Sequence, residues 1–265
     1  MKHYRKSHRY KRRKPIYRNR FFWFFLLFLI AVVSLCYFVF FTPFFKIKEI
    51  GISGNEKISI QDIGSIAQEE VDSKGSLFFR INVGKIEENI LMKYPEIGLA
   101  DVKMRLPDKL SIKIQERQMV ALWCVGENDC FKVDENGIVF EKIEEVPVGE
   151  IIINDSYSQG EKKTGEQAID KDDLAKILQI NFNLEKNLNI QVAGFFVSST
   201  DKLVAVAEDG WELYFNLQND IDWQLMKLKV LLEERISSEE RQDLEYIELR
   251  FGNFANPKFR GVSTP

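Results

Sequence analysis

The chain has 265 residues, with 37 Lys and Arg against 40 Asp and Glu, a formal charge of −3, two histidines and three cysteines. The first 20 residues hold ten of the basic side chains and no acid, so removing those ten from 37 leaves 27 basic against 40 acidic residues in the remainder. An excess of acid on that scale repels phosphate backbones and excludes nucleic acid as the ligand of the larger part, whereas the basic tail suits anionic headgroups of an inner leaflet.

From Phe21 to Phe41 the chain is apolar except for Ser34. At about 1.5 Å per residue this run covers about 30 Å, one bilayer core, and predicts a transmembrane helix over 21–42. Basic residues collect on the cytoplasmic flank of a span, so residues 1–20 are expected inside and the C-terminus outside the cell membrane. A cleavable signal peptide is the competing reading, but its apolar core would be about 7–15 residues long and end at a small-x-small site. Here the run is longer and closes on Phe40-Phe41-Thr42-Pro43. A lipoprotein signal at Cys36 is disfavoured by Leu35, where a small residue is wanted.

Residues 44–117 read as one domain. Phe45 and Ile47, then Ile50 and Ile52, alternate with polar residues but change phase at Lys48-Glu49, which predicts a strand with a bulge ending at Gly54-Asn55. Ser59 to Asp62 has capping-box spacing, and Ile60, Ile63, Ala67 and Val71 follow at helical intervals. Asn82 caps a second helix whose Val83, Ile86 and Ile90 share a face, and Tyr94-Pro95 stops it. Strands are expected at 97–106 and 109–116, with Leu110, Ile112 and Ile114 on one side.

This order of strand, helix, helix, strand, strand carries Ile47-Lys48-Glu49-Ile50-Gly51-Ile52-Ser53-Gly54-Asn55, Tyr94-Pro95 with Ala100-Asp101-Val102, Arg105-Leu106-Pro107-Asp108-Lys109-Leu110 and Gln115-Glu116-Arg117. Together, after a basic tail and a single span, these segments resemble the POTRA domain of the FtsQ/DivIB family of bacterial cell-division proteins. The fold class implied is α+β: one transmembrane helix, a POTRA domain, and a mixed or antiparallel β domain with packed helices.

Residues 118–252 continue the resemblance. Strands are expected at 121–125, 130–133, 138–141, 148–153, 192–198, 203–207, 211–217 and 244–251. One helix carries Leu174, Ile177, Leu178 and Phe182, and another carries Ile221, Leu225, Leu228 and Leu232 on one stripe. Residues 253–265 read as a tail. The segment Trp123 to Phe131 reads as two strands joined by a polar turn, with Cys124 and Cys130 opposite one another. In an oxidising compartment either a disulfide or two partly buried thiols fits.

Catalysis would need a nucleophile with a base, a carboxylate pair in a cleft, or a metal cluster. The only histidines are His3 and His8, both in the tail, and no Gly-rich phosphate loop or zinc spacing occurs. The expectation is a non-enzyme with no cofactor, no metal and no small-molecule substrate. The sharper candidate is the last strand, because a terminal strand tends to lie at a sheet edge and can template a partner strand. The family resemblance implies that it receives a strand from an FtsB/DivIC-like partner, alongside an FtsL-like protein, at the division septum. The candidate contact residues are Tyr246, Glu248, Arg250, Phe251 and Asn253. By that resemblance Arg250, Phe251 and Asn253 correspond to contact positions, and Glu248 stands where aspartate is more usual. Alternation puts Tyr246, Glu248 and Arg250 on one face and Ile247, Leu249 and Phe251 on the other; with the apolar set inward, Arg250 is free for a partner carboxylate and Phe251 needs a bend at Gly252. The implied role is a divisome scaffold that helps regulate septal peptidoglycan synthesis. Its alternatives are a generic membrane-anchored extracytoplasmic adaptor, a membrane-anchored wall enzyme, and a POTRA-containing assembly or secretion component. The last would continue into a long barrel for which this chain has neither length nor strands.

Overall fold

The computed structural model describes residues 20–76, 78–126, 129–157, 162–237 and 239–261. All but Arg20 of the basic tail, and with it the expected lipid contact, lies outside them. Helix α1 (Arg20–Phe41) has 22 residues and buries none of them. Its length of about 33 Å matches a bilayer core, and a helix apolar all round needs an apolar surrounding. A 3-10 turn over Pro43–Phe45 follows, with proline at its start where a fixed φ and a missing N–H do no harm.

The chain then packs into two compact units, one ending its first stretch at Ser53 and including Ser59–Ile86 and Val102–Ile112, the other comprising Gly54–Ile58, Glu87–Asp101 and Lys113 onward. Strand β1 (Glu49–Ser53), helices α2 (Ile60–Ser73) and α3 (Val83–Lys93), and strands β2 (Ile97–Arg105) and β3 (Lys109–Glu116) follow in the expected order, with the sheet arranged β1-β3-β2. The single bulged strand expected from residue 45 is not formed: the turn at Pro43 occupies its beginning, Ile47 N–H donates to Ser76 O at 2.9 Å, and regular pairing starts at Glu49.

Ser59 caps α2 by accepting from the Gln61 N–H, and Ile63, Ile66, Ala67 and Val71 are buried beneath it. Ile60, expected on that stripe, is exposed because it opens the helix before the buried face begins. In α3, Ile86 and Ile90 are fully buried, and Asn82 Oδ1 accepts from Lys85 N–H. Glu116, 8% exposed, closes β3 by accepting from the backbone N–H groups of Glu56, Lys57 and Ile58 at 2.8–3.1 Å. Burial works to raise its pKa, but the three donors outweigh that and hold the carboxyl below the ordinary range. The same corner requires Gly54: its φ is +87°, and a Cβ there would lie 2.1 Å from Ile114 O.

Among the described residues the larger sheet has nine strands: β4 (Ala121–Val125), β5 (Asp129–Val133), β6 (Val139–Ile143), β7 (Ile152–Asp155), β8 (Val192–Ser199), β9 (Lys202–Ala207), β10 (Glu212–Phe215), β11 (Leu244–Glu248) and β12 (Asn256–Phe259). Their order is β12-β11-β10-β9-β8-β7-β4-β5-β6. Register-paired residues form one row across seven strands, Phe131, Trp123, Ile153, Phe195, Ala205, Leu213 and Ile247. All seven belong to a single core, as the two-residue side-chain period of strands demands. Helices α4 (Lys171–Asn187) and α5 (Ile221–Glu234) complete that core with Leu174, Ile177, Ile180 and Leu184 from the first and Ile221, Leu225, Leu228 and Leu232 from the second. Phe182, read with Leu174 and Ile177 as an apolar residue of this helix, is 59% exposed; Ile180 and Leu184 share the buried face.

Candidate partner-binding site

Cys124 and Cys130 are directly paired residues of the β4–β5 hairpin and are joined by a disulfide, while Cys36 stays free. The five expected contact residues all lie at the opposite end of the large sheet. Their strand is not its edge. β11 runs parallel to β10 on one side, with Tyr214 opposite Glu248, and antiparallel to β12 on the other, with Tyr246 opposite Lys258. The expected strand over 244–251 therefore ends at Glu248, and the segment read as a tail supplies the edge. Gly252, at φ +65°, reverses the chain between β11 and β12.

Pro257 sits within β12. Arg260 N–H donates to Asp243 O at 2.8 Å, so by alternation Arg260, Lys258 and Asn256 turn their backbone groups toward β11. Pro257 and Phe259 turn theirs outward. Proline thus occupies a position whose missing N–H interrupts no ladder bond. The open edge offers the Phe259 N–H and C=O and the Pro257 C=O.

Beside that edge, Tyr246 stacks on Tyr214 with ring centroids 4.8 Å apart. Lys202 Nζ lies 3.9 Å above the Tyr214 ring, and Lys258 Nζ lies 5.3 Å from the Tyr246 ring. Burial and donation of its hydroxyl to Glu212 raise the Tyr214 phenol pKa. Glu248 and Arg250 form a forked pair at 2.9 and 2.7 Å. Burial acts to raise the Glu248 pKa, but the Arg250 hydrogen bonds prevail and lower it, and the same bonds raise that of Arg250. Arg250 is therefore not free as expected, since its fork is already filled by Glu248.

Phe251 is 57% exposed and lies against the Arg250 guanidinium at 4.7 Å, as a bend at Gly252 allows. Asn253 is exposed and lines a groove of about 260 Å³ with Trp223, Met226, Val230 and Phe254.

Lys227, near the middle of α5, is the residue that sequence reasoning missed. It is 6% exposed, and its ammonium donates to Leu249 O at 2.6 Å, to Gly252 O at 3.2 Å and to Phe251 O at 3.4 Å. One cation thus gathers the carbonyls of the turn that carries Phe251 and leads into the edge strand. Burial pulls its pKa below the ordinary lysine range, partly offset by Glu248. The available signal was a lysine four residues before Leu231, and so on one helix face with it. Among the described residues, no group of three or more His, Cys, Asp or Glu side chains is placed to hold a metal ion.

Residues 45–117 match the family model "POTRA domain, FtsQ-type". The chain is 29% identical over 164 residues to the cell division protein DivIB of Clostridium tetani, covering 62% of this chain and 56% of that one. It is 32% identical over 157 residues to DivIB of Clostridium botulinum strain Hall, covering 57% of each. To the cell division protein FtsQ of Streptomyces griseus it is 27% identical over 105 residues, covering 39% of this chain and 48% of that one. The chain thus spans about half the length of the curated relatives it matches. The matched POTRA segment, the β-α-α-β-β order and the recurrence of DivIB and FtsQ among its relatives agree: residues 45–117 form a POTRA domain of the FtsQ type, in a chain similar to the cell-division proteins DivIB and FtsQ.

Proposed function

We propose that this protein is a non-catalytic, single-pass division scaffold with its N-terminus cytoplasmic, which captures FtsB/DivIC-like and FtsL-like partners outside the membrane. By holding them at the septum it helps regulate septal peptidoglycan synthesis. The observation that carries this reading is the outer side of β12, with which no strand pairs among the described residues; the neighbouring strands β11 and β10 carry the Tyr214–Tyr246 stack and the Glu248 of the Glu248–Arg250 pair. An extended partner segment adds there as a tenth strand, main-chain hydrogen bonds supplying affinity and alternate side chains supplying register. The rings and cations beside the edge suit a partner strand carrying aromatic and acidic residues.

The outward N–H of Phe259 makes the mechanism testable at one atom. Phe259→Pro removes that donor and leaves the inward bonds of Lys258 and Arg260 in place, while Phe259→Ala removes the ring and keeps the donor. In capture of the extracytoplasmic segment of an FtsB/DivIC-like partner by the full-length chain in nanodiscs, the proline variant should lose binding and the alanine variant should retain much of it. Equal binding by the two variants would sink strand addition at β12.

A further inference from the structure

The aromatic side chains where α1 leaves its span form a continuous chain into the first compact unit. Phe38 packs on Phe44 at 5.5 Å and on Phe45 at 6.1 Å, Phe44 on Phe45 at 5.0 Å, Phe45 on Phe79 at 5.5 Å, and Phe79 on Phe78 at 5.4 Å. Phe78 is buried, whereas Phe79 and Phe44 are 57% and 48% exposed. The Ile47 to Ser76 hydrogen bond at 2.9 Å ties the two segments side by side. A second 3-10 turn over Phe78–Arg80 presents Phe79 outward, next to the exposed Arg80.

Position along the chain says what covers these rings. Phe44 lies three residues past the last helical residue, in a turn rising about 2 Å per residue, so it sits roughly 6 Å beyond the span. Headgroups occupy a layer of about 5–8 Å on each side of the hydrocarbon core. Phe79, in ring contact with Phe45, is held in the same layer. Exposed Lys46 and Arg80 follow Phe45 and Phe79 directly in the chain, and Lys74 at the end of α2 is exposed as well, the pairing of apolar rings with cationic tips that bilayer interfaces favour.

We propose that Phe44, Phe45 and Phe79 form a membrane-docking site that seats this unit in the headgroup layer of the leaflet from which α1 emerges, Lys46, Lys74 and Arg80 engaging lipid phosphates. The unit is thereby held at a fixed height and tilt rather than swinging on the two residues Thr42 and Pro43. The inference rests on α1 spanning the bilayer and is independent of partner capture at β12.

The test places the photocrosslinker p-benzoylphenylalanine at Phe79, at Phe28 within α1, or at Ile60, in the full-length chain in nanodiscs of phosphatidylglycerol and phosphatidylcholine. Ile60 is 53% exposed and lies at the other end of α2, about 20 Å along its axis. All three side chains are exposed, so no replacement empties a core. Lipid adducts are expected at positions 28 and 79 and not at 60. Adducts at 28 with none at 79, or covalent dimers from 79 in place of lipid adducts, would overturn the docking site. Absence of adducts at 28 would remove the span and the proposal together.

Discussion

Replacing Lys227 by methionine keeps most of the apolar stem of the side chain and removes the ammonium that gathers three carbonyls. The Leu249 carbonyl is buried and bonded at 2.6 Å, whereas the bonds to Gly252 and Phe251 are part-buried and longer. A hydrogen bond to a charged group contributes about 1.5–3 kcal/mol net, and an abandoned buried acceptor costs about 1–3 kcal/mol. Relief from holding a cation in a dry site, visible in the lowered Lys227 pKa, offsets part of this. The first bond dominates and the balance is a loss of about 1–3 kcal/mol. For a folded part of this size each kcal/mol shifts Tm by about 2–4 °C, so thermal melts of the full-length chain in detergent should show a fall of about 2–12 °C. Because the same carbonyls position Phe251 and the entry to β12, partner capture should weaken at temperatures where the variant is still fully folded. A variant with unchanged Tm and unchanged capture would refute the argument that this cation organises the site.

Two further outcomes follow from the structure. Glu116 has a folded pKa below its unfolded value, so at pH between the two the unfolded chain binds the extra proton; its stabilisation is present above about pH 4.3 and is lost as pH falls through the folded value. Glu116→Gln should destabilise the fold by about 2–4 kcal/mol at neutral pH and flatten the acid limb of a Tm-against-pH curve, whereas a parallel displaced curve would contradict the assignment. Replacing Cys124 and Cys130 together by alanine opens a short loop and should lower stability by about 2 kcal/mol on chain-entropy grounds, and mass spectrometry after alkylation of the native denatured chain without reductant should find one modified cysteine, Cys36.

The sequence made the local elements legible wherever one physical signal dominated. The α1 run, the Ser59 cap, the buried stripe of α5 and the alternation of β3 all appear in the structure because burial period and capping chemistry act within a few residues. The first strand was misread because Pro43 turns the chain where alternation alone suggests continuity. Ile60 was misplaced because helical spacing does not tell which of several apolar residues faces the core.

The edge of the sheet is set by long-range pairing. Residues 254–261 offer little alternation and contain Pro257, so they read as a tail. The long-range pairing of Tyr246 with Lys258 after a reversal at Gly252 decides otherwise. The expected contact residues nevertheless lie together at the sheet end where β12 was found. The state of Arg250 was hidden for a related reason, since a neighbouring Glu248 at two-residue spacing is as able to fill its fork as any partner.

The central claim, strand addition along β12, is tested most directly by amide hydrogen exchange of the full-length chain in nanodiscs with and without the extracytoplasmic segment of an FtsB/DivIC-like partner. The account predicts that the peptide containing Phe259 gains strong protection on binding, through its outward N–H, while the already paired β10 and β11 change little. Protection elsewhere with exchange at Phe259 unchanged would contradict it.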